Sequence, residues 1–150
     1  MASPPLQGKL HISGMDSRAP ALARQWQLGL ETIAFSYAPL LDDPAALLRA
    51  KEEIHGVGSL WFHGPFAELI PCAIDPLARD VAMRRFRQAL EAAQALGIRR
   101  MVFHGGFIPH VYFPEWYVEQ SVRFWREFLR DVPADMTLAL ENVMEPSPDT

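Results

Sequence analysis

The chain alternates short apolar segments with amphipathic segments of helical periodicity, and this alternation restricts its fold most strongly. The helix between Asp75 and Gly97 is the clearest element, because Asp75 suits a helix N-cap, Pro76 the first turn and Gly97 the C-terminal end. Strands that alternate with helices are parallel and are joined by helical crossovers, so we predict an α/β fold. The predicted strands are 9–13, 30–35, 59–63, 100–104 and 137–141, and the other predicted helices are 16–28, 43–54 and 114–129.

Composition excludes several classes of protein. The 150 residues include 14 Lys and Arg against 18 Asp and Glu, giving a net charge of −4, which does not favour broad binding to nucleic acid or membrane surfaces. Cys72 is the single cysteine, which excludes an intrachain disulfide and a CxxC zinc site. No apolar run approaches the ~18 residues of a membrane span, and the start lacks signal-peptide features. We therefore expect a soluble cytoplasmic protein without a membrane partner.

Two histidines occur in similar surroundings one strand–helix unit apart. The segments FHGPF and FHGGF place His63 and His104 at the ends of the third and fourth predicted strands. Glu141 follows the apolar run of the fifth strand in the same way. In parallel α/β folds the C-terminal ends of strands line the functional face, so we predict that these three side chains lie there at one level.

Histidine and carboxylate together suit a divalent metal, and a carboxylate next to a buried strand is costly unless it is paired, protonated or metal-bound. The structural alternatives are a histidine that only makes hydrogen bonds at a strand end and a Glu141 that points to solvent. The glycines after both histidines permit close backbone approach, or serve only a tight turn.

Other polar residues are weaker candidates. His110 and Glu145 lie in loops after the fourth and fifth strands, where they are predicted to contact substrate or, alternatively, to pack or be solvated as ordinary loop residues. Glu31, near the start of the second predicted strand, is interpreted as structural or solvated, and His11 as a packing residue. The sequence contains no GxGxxG, GxxxxGK[ST], GxSxG or HExxH motif.

Four segments resemble the xylose isomerase-like TIM-barrel superfamily, which includes sugar phosphate isomerases and epimerases and endonuclease IV-type enzymes. They cover roughly residues 59–143 and are HGPFAELIP at 63–71, the helical segment 75–100, VFHGG at 102–106 and LALENV at 138–143. The resemblance implies a (β/α)₈ barrel with a divalent metal ion (Mn, Zn, Mg or Co) at its C-terminal face.

The resemblance also assigns roles to individual residues. Glu141 matches the fifth-strand glutamate that binds metal across much of the superfamily, so it is the predicted catalytic residue and metal ligand. His63 and His104 match histidines that bind metal in the endonuclease-like members and more often contact substrate in the isomerases and epimerases. Both roles therefore remain open for the two histidines.

The superfamily's remaining metal ligands come from strands six to eight, and the pattern in this chain ends at a fifth strand. Five of the eight units of a ~250-residue barrel need about 156 residues. We therefore expect residues 1–150 to form the N-terminal part of a single TIM-barrel domain, with five strands and four helices. Such a part is expected to be inactive alone, and its open sheet edges could pair two copies of the chain.

Three functions are consistent with the sequence. The first is isomerisation or epimerisation of a small carbohydrate, either a sugar or a sugar phosphate, at a divalent metal. The second is an endonuclease IV-like phosphodiesterase acting on abasic DNA, which the acidic charge disfavours. The third is a five-stranded α/β domain that binds a ligand or partner without catalysis.

Overall fold

The computed structural model describes residues 9–147, in which strands and helices alternate as predicted. A 3-10 helix at Ala38–Asp42 is an addition that the sequence patterns did not indicate. The strands are β1 His11–Ser13, β2 Gly29–Thr32, β3 Leu60–His63, β4 Arg100–His104 and β5 Thr137–Glu141, and the helices are α1 Ala19–Trp26, α2 Pro44–Ile54, α3 Pro76–Ala95 and α4 Pro114–Phe128.

The five described strands form one parallel sheet in the order β1-β2-β3-β4-β5. Right-handed crossovers between consecutive neighbours place all the helices on the same face of the sheet. An open doubly wound sheet instead reverses its strand order at a switch point. The observed order is therefore that of a barrel wall, which argues against the third interpretation, a separate open α/β domain.

Side-chain hydrogen bonds explain where the helices begin. The carboxylates of Asp43 and Asp75 each accept a hydrogen bond from the backbone two residues later, so both residues cap their helices, as predicted for Asp75. Helix α1 begins three residues later than predicted. There, the Asp16 carboxylate instead accepts hydrogen bonds from the backbone and guanidinium of Arg18 and holds a turn before the helix.

The two faces of the sheet differ in burial. The residues that point towards the helices include Leu30, Phe62, Met101 and Phe103, all fully buried. The Phe103 ring packs against Phe86 of α3 with centroids 4.5 Å apart. The opposite face is less covered, with Trp61, Val102 and His104 only half-buried. Apolar strands of a parallel sheet are usually covered on both faces.

Strand β2 ends at Thr32, three residues before the predicted end at Phe35. The Thr32 hydroxyl accepts a hydrogen bond from the backbone of Ala34, and the Ser36 hydroxyl donates to the Ile33 carbonyl, so the chain turns away from the sheet. This turn places Glu31 near the C-terminal end of its strand.

Within residues 9–147, no helix combines the length and apolar composition needed to cross a membrane. The first residues, on which the expectation of no signal peptide depends, lie outside the described part of the chain.

Candidate metal centre

The register of the sheet determines which side chains meet at its C-terminal edge. His104 of β4 lies opposite Glu141 of β5, as the predicted common level requires. His63 of β3 lies opposite Val102, one inward-facing position lower, so the prediction of a single level is wrong for His63. Neighbouring strands of a barrel are staggered, which separates equivalent positions of successive units along the sheet.

The three predicted side chains nevertheless converge. The Nε2 atom of His104 lies 3.2 Å from Nε2 of His63 and 3.3 Å from Oε2 of Glu141. The third separation, from His63 Nε2 to Glu141 Oε2, is 3.7 Å. The side chains of His63, His104 and Glu141 are 8%, 22% and 54% exposed, so exposure increases from β3 to β5. We refer to these three residues as the edge cluster.

A backbone carbonyl orients His63 within the edge cluster. Its Nδ1 atom lies 2.8 Å from the carbonyl oxygen of Gly64. Since a carbonyl only accepts, Nδ1 donates this hydrogen bond, and Nε2 is the nitrogen that faces the other two residues. Metal-binding histidines commonly use their second nitrogen in this way.

The surroundings of His104 favour the neutral imidazole that a metal ligand needs. Burial lowers the pKa of His104, His63 beside it lowers it further, and Glu141 opposes this shift. The net direction favours a neutral imidazole, which is the form that binds a metal ion.

A second carboxylate, which the sequence analysis had interpreted as structural or solvated, reaches the edge cluster. Oε1 of Glu31 lies 4.0 Å from Nε2 of His63. Burial raises the pKa of Glu31, proximity to His63 opposes the shift, and Glu141 reinforces it. The available signal was a carboxylate between two buried strand residues, Leu30 and Thr32. It was missed because the strand was predicted to continue past Thr32.

The edge cluster fits a divalent metal ion by both its chemistry and its spacing. Two imidazole nitrogens and a carboxylate oxygen are a common donor set for zinc and similar ions. Two ligands, each about 2.1 Å from a tetrahedral zinc ion, lie about 3.4 Å apart. The separations within the cluster run from 3.2 to 3.7 Å.

A cleft of about 230 Å³ adjoins His104. Phe66 and Met144 contribute to its apolar wall, and Glu68 and Glu145 are its acidic lining residues. No Lys or Arg is among the described residues that line it. The cleft therefore offers apolar and acidic surface beside the candidate metal ligands.

Glu145, predicted to bind substrate, lies in the wall of the cleft with both oxygens bonded to the protein. The Tyr117 hydroxyl donates to Oε1 at 2.7 Å, and the backbone N–H groups of Val143 and Met144 donate to Oε2 at 2.7 and 3.0 Å. Burial alone would raise the pKa of Glu145, but these hydrogen bonds outweigh it and the pKa is lowered. The carboxylate therefore holds the turn that follows Glu141.

His110, the other residue predicted to contact substrate, is exposed and has left-handed backbone geometry with φ of 64°. It is not among the described residues of the edge cluster or of the cleft lining. Its role in substrate binding stays a prediction.

Several solved structures share this fold. A protein of Thermus thermophilus, TTHB071, soaked with zinc chloride, has 28% identity and a TM-score of 0.69 over 93% of this chain and 57% of its own. D-psicose 3-epimerase from Clostridium cellulolyticum, with D-tagatose, has 19% identity and a TM-score of 0.67 over 90% and 49%. Endonuclease IV from Thermus thermophilus has 20% identity and a TM-score of 0.54 over 92% and 52%.

The chain thus spans about half the length of these structures. No curated protein matches it significantly. The model of the xylose isomerase-like TIM barrel matches residues 21–149, nearly the whole chain. On this evidence, the chain belongs to the xylose isomerase-like TIM barrel family.

Proposed function

We propose that this chain carries the metal-binding part of an isomerase or epimerase that acts on a sugar or sugar phosphate. The observation that supports this most directly is the convergence of two imidazole nitrogens and a carboxylate oxygen at the C-terminal edge of the sheet. His63, His104 and Glu141 would hold the ion, and the imidazoles favour zinc or a similar ion over magnesium, which prefers oxygen ligands. The fold shared with D-psicose 3-epimerase agrees with this proposal.

A bound divalent ion would polarise the carbonyl and hydroxyl oxygens of a ketose. The remaining contributions come from the protein. Glu141, the most exposed member of the edge cluster, faces the open side where substrate arrives. Phe66 and Met144 present apolar surface to the carbon face of a sugar. At about 230 Å³, the cleft is smaller than the ~300–1,000 Å³ of typical drug-sized pockets, which suits a small ligand.

An endonuclease-like phosphodiesterase is the second candidate. The observation that favours it is the pair of histidines facing the carboxylate, together with the fold shared with endonuclease IV. The cleft argues against it, because a polyanionic DNA backbone is bound mainly through Lys and Arg. The described lining has Glu68 and Glu145 in their place.

The first test of the proposal is metal binding by the 150-residue chain, measured by titration calorimetry with Zn²⁺, Mn²⁺ and Co²⁺. We expect stoichiometric binding that Glu141→Gln weakens by about 100-fold or more, since it replaces an anionic ligand with a neutral amide. Glu53→Gln, which removes the same charge from an exposed position on α2, is the matched control. Equal affinity of the Glu141→Gln variant and the wild type would contradict the proposed centre.

The second test separates the two candidate reactions. D-psicose or D-tagatose should raise the melting temperature of the metal-loaded chain and leave that of Glu141→Gln unchanged. A duplex with an abasic-site analogue should have no effect. We expect binding without turnover, because the edge cluster lies on an open sheet face where water is not excluded. Stabilisation by the abasic duplex alone would favour the phosphodiesterase.

A further inference from the structure

We propose that Glu31 is a fourth protein ligand of the metal ion, contributed by strand β2. The inference depends on the proposed metal centre, to which it adds a residue. It extends the donor set from β3, β4 and β5 to four consecutive strands, with two imidazoles and two carboxylates.

The first argument is the point on which the side chains converge. Nε2 of His63 has three neighbours: Nε2 of His104 at 3.2 Å, Oε2 of Glu141 at 3.7 Å and Oε1 of Glu31 at 4.0 Å. Since Nδ1 of His63 is already bonded to the Gly64 carbonyl, Glu31 faces the nitrogen that would bind the ion. Glu31 therefore cannot be the group that orients the ring through its second nitrogen.

The second argument is charge. The Glu31 side chain is 27% exposed, against 54% for Glu141, yet its one described ion pair is with His63. Glu141 lies close enough to act on it as a like charge. Two carboxylates that share a partly buried site repel each other, and a cation between them relieves this repulsion. A divalent ion would supply that cation.

The third argument is distance. Ligands of one tetrahedral zinc ion lie about 3.4 Å apart. Oε1 of Glu31 lies 4.0 Å from Nε2 of His63, but Glu31 is not among the residues whose ligand atoms all lie within 4.8 Å of one another. A rotamer change of the Glu31 side chain would therefore bring its carboxylate to the ion. Glu31 is the third of the four residues of β2 and lies opposite Trp61 of β3, so the sheet fixes its backbone at this edge.

The test compares Glu31→Gln with the wild type by Zn²⁺ titration calorimetry and by the visible absorption spectrum of the Co²⁺-loaded chain. Glutamine has the shape of glutamate without its charge. We expect the Zn²⁺ dissociation constant to rise by about 10- to 100-fold and the Co²⁺ bands to shift, because one oxygen ligand is lost. Glu53→Gln on α2 is the matched control and should change neither quantity.

Urea unfolding of the metal-free variants distinguishes a ligand from a structural residue. If Glu31 is a ligand, Glu31→Gln should leave the metal-free chain equally stable or more stable, because it removes a poorly compensated charge. A structural glutamate would instead lose stability on substitution without a change in the Co²⁺ spectrum, and that result would overturn the inference.

Glu141→Gln, measured in the same titrations, separates the inference from the proposed function. If Glu141→Gln abolishes binding and Glu31→Gln does not alter it, the metal centre stands and the fourth ligand is refuted. If neither variant alters binding, the proposed centre itself fails.

Discussion

Two polar groups lie at opposite ends of the open face of the sheet, and they are built differently. At the N-terminal end the Ser59 hydroxyl lies 2.7 Å from His11 Nε2 and accepts a hydrogen bond from Arg100 at 2.8 Å. The Arg100 guanidinium lies over the Trp61 ring. At the C-terminal end, imidazole faces imidazole and carboxylate lies near carboxylate.

The difference indicates what each group is for. At the N-terminal end the Ser59 hydroxyl accepts from Arg100 and lies within hydrogen-bond distance of His11 Nε2. Burial and Arg100 lower the pKa of His11, which favours the neutral imidazole that Ser59 can donate to. This network pairs donors with acceptors without a metal ion, which fits a structural role. The C-terminal group brings two imidazole nitrogens and two carboxylates together, an arrangement that becomes more favourable when a cation binds.

The largest effect that would separate the two ends is expected from His104→Ala. Removing this ligand should weaken Zn²⁺ binding by about 100-fold or more while the metal-free stability changes little. Calorimetry and urea unfolding measure the two quantities. The control is His110→Ala, which removes an exposed imidazole outside the edge cluster. A His104→Ala variant that retained wild-type affinity would contradict the contrast between the ends.

Ser59→Ala should have the opposite effects on Zn²⁺ affinity and on metal-free stability. It removes the hydroxyl shared by His11 and Arg100, so we expect about 1–3 kcal/mol less free energy of unfolding and unchanged Zn²⁺ affinity. Urea unfolding with Ser17→Ala, an exposed serine, as the control measures this. Loss of metal affinity in Ser59→Ala would show that the two ends are coupled.

The smallest expected effect concerns the loop that follows Glu141. Tyr117→Phe removes the hydrogen bond to Glu145 and should cost about 1 kcal/mol at neutral pH. The Glu145 pKa is lowered in the folded state, so this stabilisation is present above the unfolded-state pKa and is lost as pH falls through the folded-state pKa. The difference in free energy of unfolding between Tyr117→Phe and the wild type, measured with urea, should therefore become smaller at acid pH. Tyr37→Phe, at an exposed position, should show no difference at any pH.

Local patterns were sufficient for most of the fold. A helix was predicted between Asp75 and Gly97, and the structure places it at Pro76–Ala95. Strands β4 and β5 begin and end at the predicted residues. In the same helix Leu77 is 74% exposed, although its spacing assigns it to the apolar face. Periodicity gives the direction of a side chain but not how far the neighbouring elements extend over it.

The candidate site was predicted in part. His63, His104 and Glu141 were brought to one edge by the strand ends alone, because parallel strands share the direction of their C-termini. Glu31 was missed because the turn that ends β2 depends on hydroxyl contacts of Thr32 and Ser36. The level of His63, opposite Val102 and not opposite His104, was also not predicted. It depends on the register between two strands, which neither strand's own sequence determines.

The ring of Phe66 covers one side of the two histidines of the edge cluster. It stacks on the His104 imidazole with centroids 4.5 Å apart and meets the edge of His63 at 5.1 Å. Those two imidazoles are therefore shielded on that side, while Glu141 is the member open to water. Glu141 is therefore the ligand that solvent and incoming ions reach most readily, and the histidines are the ligands that the protein holds in place.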